Sequence, residues 1–286
     1  MIQTEPSGNP QKPTSRLPGV RHVIAVGSGK GGVGKSTVAV NLALALKNTG
    51  AQVAILDADI YGPSLPIMLG TRDQKPSMKD ERVIVPVEAH GIAMISMGFL
   101  IKPDDAVIWR GPMLSKVLQQ FIDDVDWGER DYLIIDLPPG TGDVQLSISQ
   151  MLDVAGAVVV TTPQDVAMAD VRRAMKMFER TRVPVIGLVE NMAWFTCPDT
   201  EKRYPIFGES RTQKAADEWE IPLLASMPID LALAPAADRG EPIVIAEPDG
   251  DQAERYRGLA KSVLDVIESS GDTPANSEKF DEFFSG

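Results

Sequence analysis

The fold of this chain follows from one stretch of sequence, Gly27-Ser28-Gly29-Lys30-Gly31-Gly32-Val33-Gly34-Lys35-Ser36-Thr37. From Gly29 to Ser36 it reads G-x-x-x-x-G-K-S, a pattern in which glycines let successive backbone N–H groups converge on phosphate oxygens. A β-branched run at residues 23–26 precedes it, and an apolar helical run at residues 36–47 follows it. The stretch therefore predicts a strand, a phosphate-binding loop and a helix, with the positive end of the helix dipole at the phosphates.

The residues of this loop have distinct predicted roles. We expect Lys35 to bridge the β- and γ-phosphates of a nucleotide, Ser36 to hold Mg²⁺, and Thr37 to reach the α-phosphate. The predicted cofactors are therefore ATP and Mg²⁺. The other expected nucleotide contacts of the loop come from Gly29, Lys30, Gly31, Gly32, Val33 and Gly34.

Charge and composition weigh against several classes of function. The chain has 28 Lys and Arg against 40 Asp and Glu, a formal net charge of −12, whereas nonspecific nucleic-acid binding depends on a basic surface. No run approaches the ~18 apolar residues of a membrane span, and the acidic residues 277–284 do not suit an anionic membrane surface. The first residues lack the apolar core of a signal peptide. We expect a cytoplasmic protein with no nucleic-acid or membrane partner.

Strands and helices alternate along the chain from about residue 21, which predicts a doubly wound α/β fold with a mainly parallel sheet. Two short apolar runs, residues 83–85 and 92–95, are expected to form a hairpin or an edge extension. The predicted organisation is a flexible leader at 1–19, a single domain at 20–269 and a disordered acidic tail at 270–286. Further predicted strands cover residues 53–57, 132–136, 157–161 and 185–190, and further helices cover 112–124, 165–181 and 252–269.

Acidic residues end two of the predicted strands, where ligands bind in such sheets. Asp57 and Asp59 close the second strand and point to the same side if the strand continues through both. Asp136 follows an apolar strand, the Walker B arrangement, and its carboxylate is expected to face the Mg²⁺ water shell. A carboxylate beside the γ-phosphate can orient the attacking water. Asp143, further along, either serves the same site or caps the next helix.

Lys30 gives the loop a second lysine, in K-G-G-V-G-K-S-T. This pattern resembles the deviant Walker A (SIMIBI-type) P-loop ATPases, a class that includes nitrogenase iron protein, the MinD and ParA ATPases, arsenite-pump ATPases and the Mrp/ApbC iron–sulfur carriers. In that class the extra lysine reaches across a dimer to the partner's nucleotide, as a cationic finger supplied in trans. The resemblance implies a homodimer in which Lys30, Lys35 and Asp59 are catalytic.

Longer stretches resemble the Mrp/ApbC family, the NBP-type iron–sulfur cluster carrier ATPases, over residues 17–268. They are DADIYGPS at 57–64, WRGPM at 109–113, DVDWGERDYLIIDLPPGTGD at 124–143, TTPQDV at 161–166 and IFG at 206–208. The resemblance implies a slowly hydrolysing, ATP-binding homodimer that holds an iron–sulfur cluster and passes it to apoproteins. It also implies that Asp59 is a switch aspartate and Mg²⁺-site residue, that Asn191 binds adenine, and that Pro228 and Asp230 lie against base and ribose.

The cluster-binding motif departs from the family pattern. Many members place C-x-x-C shortly after the Asn-Met strand end, so that four thiolates of a dimer ligate a [4Fe–4S] cluster. Here Cys197, the single cysteine, stands at the first position and Thr200 at the second. Two thiolates per dimer would need Asp199, a small thiol or a partner protein to complete a site. Two alternatives therefore stay open: a nucleotide-switched scaffold without a cluster, and a MinD- or ParA-like positioning ATPase that the net charge disfavours.

Overall fold

A computed structural model describes residues 17–80, 82–100 and 111–270. Most of the predicted leader at 1–19 and of the predicted tail at 270–286 lies outside the described residues, as do the first two residues of the WRGPM motif. The predicted domain boundaries therefore stay predictions. Leu17, at the start of the described chain, is buried in the core.

The described chain folds around one eight-stranded sheet with the strand order β12-β9-β8-β1-β7-β2-β6-β5. Neighbouring strands are parallel except at the edge, where β5 runs antiparallel to β6. The strands are β1 (Val20–Ser28), β2 (Val53–Asp57), β3 (Ser77–Lys79), β4 (Val83–Val85), β5 (Val87–Ala89), β6 (Ile92–Ser96), β7 (Arg130–Asp136), β8 (Val154–Thr161), β9 (Val185–Glu190), β10 (Phe195–Thr196), β11 (Arg203–Tyr204) and β12 (Leu223–Ser226).

The central strands are apolar on both faces because helices cover both sides of the sheet. In β1, Val23 and Ala25 face one hydrophobic core and Ile24 and Val26 face the other. This arrangement confirms the predicted doubly wound α/β fold. The helices are α1 (Lys35–Lys47), α2 (Leu65–Met68), α3 (Gly111–Asp123), α4 (Asp143–Met151), α5 (Asp165–Arg180), α6 (Thr212–Glu218), α7 (Leu233–Asp238), α8 (Ile243–Ala246) and α9 (Asp251–Ser270). In the part of the chain that the structure describes, none combines the length and apolar character that a bilayer crossing requires.

Of the two arrangements expected for the runs at 83–85 and 92–95, the hairpin was wrong, and the edge extension holds for the second run only, because β6 and β5 form one edge of the main sheet. The runs at 83–85 and 92–95 do not pair with each other: β4 pairs with β3 in a separate two-stranded sheet, and β6 lies beside β2 in the main sheet. All five residues of β6 are buried, and a strand of that kind gains more from a place inside the large sheet than from a short hairpin. Pro86, which cannot donate to a ladder, separates β4 from β5.

The parallel strands bring their carboxyl ends to one edge of the sheet. Asp57 pairs in register with Asp136, and Val26 pairs with Asp136 on the other side of β7. The ends of β8 and β9, Thr161 and Glu190, pair with each other in the same way. The loops that leave these strands are therefore neighbours, and they build the site described next.

Candidate functional site

Residues 29–34 form the loop between β1 and α1, and its shape requires glycine at two contact points. Gly34 has φ +81°, and a Cβ there would lie 2.2 Å from Asn191 Nδ2. At Gly29 a Cβ would lie 2.3 Å from the backbone oxygen of Asp170. Among the other loop residues predicted to contact the nucleotide, Gly31 and Gly32 are exposed and Val33 is buried.

Lys35 begins α1 and lies between two carboxylates. Its Nζ is 2.5 Å from Asp136 Oδ1 and 3.6 Å from Asp59 Oδ2, and all three side chains are buried. The structure thus brings together three residues that are 101 positions apart in the chain at their widest separation. Asp136 is positioned by β7, Asp59 by the loop after β2, and Lys35 by the first turn of its helix.

The two carboxylate oxygens of Asp136 differ in their hydrogen bonding. Its Oδ2 is buried and has no hydrogen-bond partner among the described residues. Burial raises the pKa of Asp136, while the adjacent Lys35 charge and the Ser36 hydroxyl oppose that shift. Ser36 Oγ also accepts from Lys35 Nζ at 3.3 Å. A hydroxyl oxygen and a spare carboxylate oxygen are the donors that Mg²⁺ prefers, so Ser36 and Asp136 fit the predicted metal.

Asp57 and Asp59 differ in role because β2 ends at Asp57. The Asp57 carboxylate accepts from Asp59 N at 3.1 Å, from Leu65 N at 3.3 Å and from Ser96 Oγ at 2.8 Å. Burial, and then the charge of Asp136, raises the pKa of Asp57 to about 8. Asp57 therefore holds the loop from inside, and this leaves the Asp59 side chain directed at Lys35. Asp59 Oδ1 also accepts from Gly62 N, which fixes its orientation.

Lys30 contacts the connection between β8 and α5. Its Nζ donates to Gln164 Oε1 at 2.7 Å, and Thr162 Oγ1 donates to the same oxygen at 2.8 Å. In this single chain Lys30 is therefore held by Gln164. Gln164 lies within the TTPQDV stretch that carries the family resemblance, but its contact with Lys30 was not predicted, because a single glutamine after a strand has no spacing pattern that names its partner.

The loop after β7 is held by a second residue that sequence reasoning missed. Gln145, in the first turns of α4, donates from Nε2 to Pro138 O at 2.7 Å and to Gly140 O at 3.0 Å. Gly140 N in turn donates to Ser28 O at 3.0 Å. The loop beside the predicted γ-phosphate position is therefore fixed to both α4 and β1. The description does not extend to the side chain of Asp143, so its role stays open.

Of the three residues predicted to contact the adenine base and ribose, Asn191 touches the phosphate loop. Asn191 Nδ2 donates to Val33 O at 2.9 Å, which leaves the carbonyl side of its amide for a ligand. Pro228 and Asp230 lie in the loop after β12, which contacts the chain beyond Asn191 through Ala193 N and Met227 O at 2.9 Å. Asp230 Oδ1 accepts from Ala232 N at 2.7 Å. Thr37, in the first turn of α1, uses its backbone oxygen to accept from an asparagine of the next turn.

Cys197 lies at the turn between β10 and β11. Its backbone N donates to Lys202 O at 3.0 Å, and its carbonyl accepts from Glu201 N at 2.9 Å. The thiol is partly exposed, and a hydrogen bond from the Thr200 side chain lowers its pKa, with backbone N–H groups of Asp199 and Thr200 acting in the same direction. Among the described residues no group of three or more His, Cys, Asp or Glu side chains has the geometry of a metal site.

Comparison with known proteins agrees with this geometry. A ParA-group family model described as a NUBPL iron-transfer P-loop NTPase matches residues 19–264. The iron-sulfur cluster carrier protein of Aquifex aeolicus is 49% identical over 255 residues, which are 89% of this chain and 70% of that protein. The iron-sulfur cluster carrier protein of Deinococcus radiodurans is 51% identical over 251 residues, 88% of this chain and 71% of that protein.

A solved structure is also similar. The nucleotide-binding protein of Archaeoglobus fulgidus in complex with ADP superposes with a TM-score of 0.73 at 40% identity, covering 84% of this chain and 94% of that one. The predicted resemblance to iron–sulfur carrier ATPases is therefore confirmed at the level of the family. The chain belongs to the family of NUBPL iron-transfer P-loop NTPases.

Proposed function

We propose that this chain binds ATP with Mg²⁺, hydrolyses it as a homodimer, and carries an iron–sulfur cluster to apoproteins. One observation carries the ATPase part: Lys35 lies buried between Asp136 and Asp59, immediately after a loop in which Gly29 and Gly34 have no room for a Cβ. A buried cation flanked by two acids and backbone N–H groups is suited to a polyanion that brings its own metal ion.

The residues divide the chemistry among them. When ATP binds, Lys35 moves its contact from the Asp136 carboxylate to the β- and γ-phosphates, so its ammonium group has an anionic partner in both states. Asp59, fixed by Gly62 N, orients the attacking water. Lys30 leaves Gln164 and reaches the partner's nucleotide as a cation in trans. Mg²⁺ held at Ser36 and Asp136 would neutralise charge on the phosphates.

The cargo part of the proposal rests on Cys197 and on the family. A partly exposed thiol with a lowered pKa is a better ligand for soft iron than an ordinary thiol, because the thiolate is the form that binds. The named relatives are iron-sulfur cluster carriers. A cytoplasmic location would keep such a thiol reduced. With one cysteine per chain, a dimer would supply two thiolates, and other ligands would complete a [4Fe–4S] cluster.

Anaerobic cluster reconstitution tests the cargo directly. Wild type and Cys197→Ser are reconstituted side by side, and iron and sulfide per dimer are measured with the visible absorption spectrum. We expect a cluster in wild type and its loss in the serine variant, with ATP hydrolysis unchanged in both. A wild-type protein that hydrolyses ATP but holds no iron would overturn the carrier role.

ATP hydrolysis without iron binding would favour the alternative of a nucleotide-switched scaffold. The supporting observation for that alternative is Thr200 at the second cysteine position. The scaffold would use the same dimer to hold a client protein. A positioning ATPase acting on DNA or membrane is the remaining alternative. It predicts salt-dependent DNA binding or sedimentation with liposomes, and the net charge of −12 argues for neither.

A further inference from the structure

Glu190, the last residue of β9, accepts hydrogen bonds from three side-chain hydroxyl groups. Its Oε1 accepts from Ser210 Oγ and from Thr212 Oγ1, both at 2.5 Å, and its Oε2 accepts from Ser226 Oγ at 3.3 Å. Glu190 is 2% exposed and Thr212 is fully buried. A buried carboxylate that depends on such donors is costly to disturb, since each lost donor leaves charge without compensation.

Two of these donors close a loop of chain that we call the Cys197 excursion, residues 191–210. The excursion leaves the sheet immediately after Glu190, forms the β10–β11 hairpin with Cys197 at its turn, and returns at Ser210. Ser210 and Thr212 then bond to the carboxylate from which the excursion started. Both ends of the excursion are therefore fixed to one side chain.

The beginning of the Cys197 excursion contacts the phosphate loop. Asn191, the first residue of the excursion, donates to Val33 O and lies against Gly34. Further out, Ile229 N donates to Trp194 O at 2.7 Å, which joins the excursion to the loop that carries Pro228 and Asp230. The excursion is therefore in direct contact with the phosphate loop through its first residue.

We propose that Glu190 is a positioning residue that makes the Cys197 excursion respond to nucleotide. The proposal rests on the nucleotide binding proposed above and adds a regulatory link to it. Displacement of Asn191 by a bound nucleotide shifts Glu190, and the hydroxyls of Ser210 and Thr212 carry the shift to the returning end of the excursion. The hairpin then moves as a unit, because neither end is free to absorb the shift.

The single cysteine provides a direct readout. Alkylation of wild type by iodoacetamide reports only Cys197. The rate constant is measured at fixed pH without nucleotide and with Mg²⁺ and a non-hydrolysable ATP analogue. We expect the two rate constants to differ by about fivefold or more, the lower range of allosteric coupling.

Matched variants separate the link from general damage to Glu190. Ser210→Ala combined with Thr212→Val removes, at nearly constant volume, the two donors that close the excursion onto Glu190. Ser226→Ala removes a donor to the same carboxylate from β12, outside the excursion. We expect the double variant to bind the analogue within about twofold of wild type but to lose the nucleotide effect on alkylation, and Ser226→Ala to keep it.

Glu190→Gln serves as the conservative variant, because a carboxamide keeps an acceptor oxygen and rotating hydroxyls can also accept from its NH₂ group. It should retain part of the nucleotide effect. Thermal melts of each variant verify folding, and Thr212→Val alone replaces the double variant if that one unfolds.

Three results would overturn the link: wild-type alkylation that ignores the analogue although binding is measured, a double variant that keeps the full effect, or a Ser226→Ala variant that loses it. Absence of analogue binding by wild type would instead contradict the proposed ATPase. The two failures are therefore distinguishable in one set of measurements.

Discussion

The two lysines of the phosphate loop have opposite surroundings. Lys35 is buried between Asp136 and Asp59, whereas Lys30 extends to Gln164 at the end of a different strand. This difference agrees with the distinct roles predicted for them, Lys35 at the chain's own nucleotide and Lys30 in trans. Lys35 follows the loop's last glycine and enters the helix, while Lys30 precedes the turn and lies on its outer side.

Alanine at each lysine should therefore give a different defect. Lys35→Ala should abolish ATP binding and destabilise the apo protein by about 3 kcal/mol or more, because Asp136 loses its buried cation. Lys30→Ala should leave ATP affinity nearly unchanged and lower kcat by about 10³-fold, as expected for a cation supplied in trans. Calorimetric titration measures the ATP affinity, urea denaturation measures the stability of the apo protein, and phosphate release measures kcat. Full kcat in Lys30→Ala would exclude the trans role.

Thr200 should control the reactivity of Cys197. Its hydroxyl bonds to the thiol and lowers the thiol pKa, so Thr200→Val should raise that pKa. Because the thiolate is the nucleophile, the alkylation rate rises with pH through the pKa, and the variant's profile should shift to higher pH. Thr196→Val, which removes a neighbouring hydroxyl in β10, is the control. Identical profiles for wild type and Thr200→Val would contradict the assignment.

At this scale the sequence predicts residues whose partners are implied by a motif. Lys35 and Asp136 are both predicted at the nucleotide because each belongs to a recognisable motif, and the structure joins their side chains directly. Gln145 and Gln164 could not be found in this way. Each contributes one amide to a neighbouring loop, and only the meeting of α4, β1 and β8 reveals what that amide contacts.

At the scale of the element, the phosphate loop offers a comparison of two glycines. Gly32 and Gly34 both have positive φ, +75° and +81°, but a Cβ at Gly32 meets nothing within 4 Å, whereas one at Gly34 would overlap Asn191 Nδ2. Alanine at either position pays about 1–2 kcal/mol for the left-handed backbone. Gly34→Ala should cost about 1–3 kcal/mol more by overpacking, and should weaken ATP binding by displacing Asn191.

Urea denaturation and ATP titration of the two alanine variants check this expectation. Gly32→Ala is the matched control, since it carries the backbone strain without the contact. Equal losses in the two variants would mean that backbone strain alone limits the loop and that Asn191 yields freely.

Element boundaries were predictable where burial leaves no choice. The structure reproduces the predicted strand ranges 53–57 and 185–190, which are almost entirely buried runs bounded by polar or turn residues. The partner of β4 was not predictable. All three residues of β3 are exposed, so the strand lacks the alternation of buried and exposed residues that would predict it from the sequence. Its pairing with β4 is seen only in the structure.

At the scale of the whole molecule, loops around the polar site also carry exposed apolar side chains. Tyr61, Ile206 and Leu231 are 78%, 56% and 66% exposed, and they lie in loops that follow β2, β11 and β12. Exposed large side chains around a ligand site are typical of a surface that a partner covers. This supports the proposal that two copies meet at the nucleotide edge, where Lys30 is also located.

Net charge makes that meeting dependent on salt. Each chain has a formal charge of −12, and bound nucleotide adds to it. For centres roughly 45 Å apart, the screened repulsion is on the order of 1–2 kcal/mol at about 20 mM ionic strength and nearly zero at about 200 mM. A lysine that contacts the partner's phosphate acts at short range and out of water, so salt weakens it far less.

The ATP-dependent dimer should consequently tighten as salt is added. We expect the dissociation constant to fall about tenfold between roughly 20 and 200 mM salt, measured by sedimentation velocity with Mg²⁺ and a non-hydrolysable analogue. Lys30→Ala, measured in parallel, should dimerise more weakly at both salt concentrations yet show the same direction of change, because the net-charge repulsion remains. A dimer that dissociates with added salt would mean that exposed ion pairs between the subunits outweigh their net repulsion. A chain that stays monomeric with the analogue bound at every salt concentration would refute the homodimer, and with it any role for Lys30 in trans.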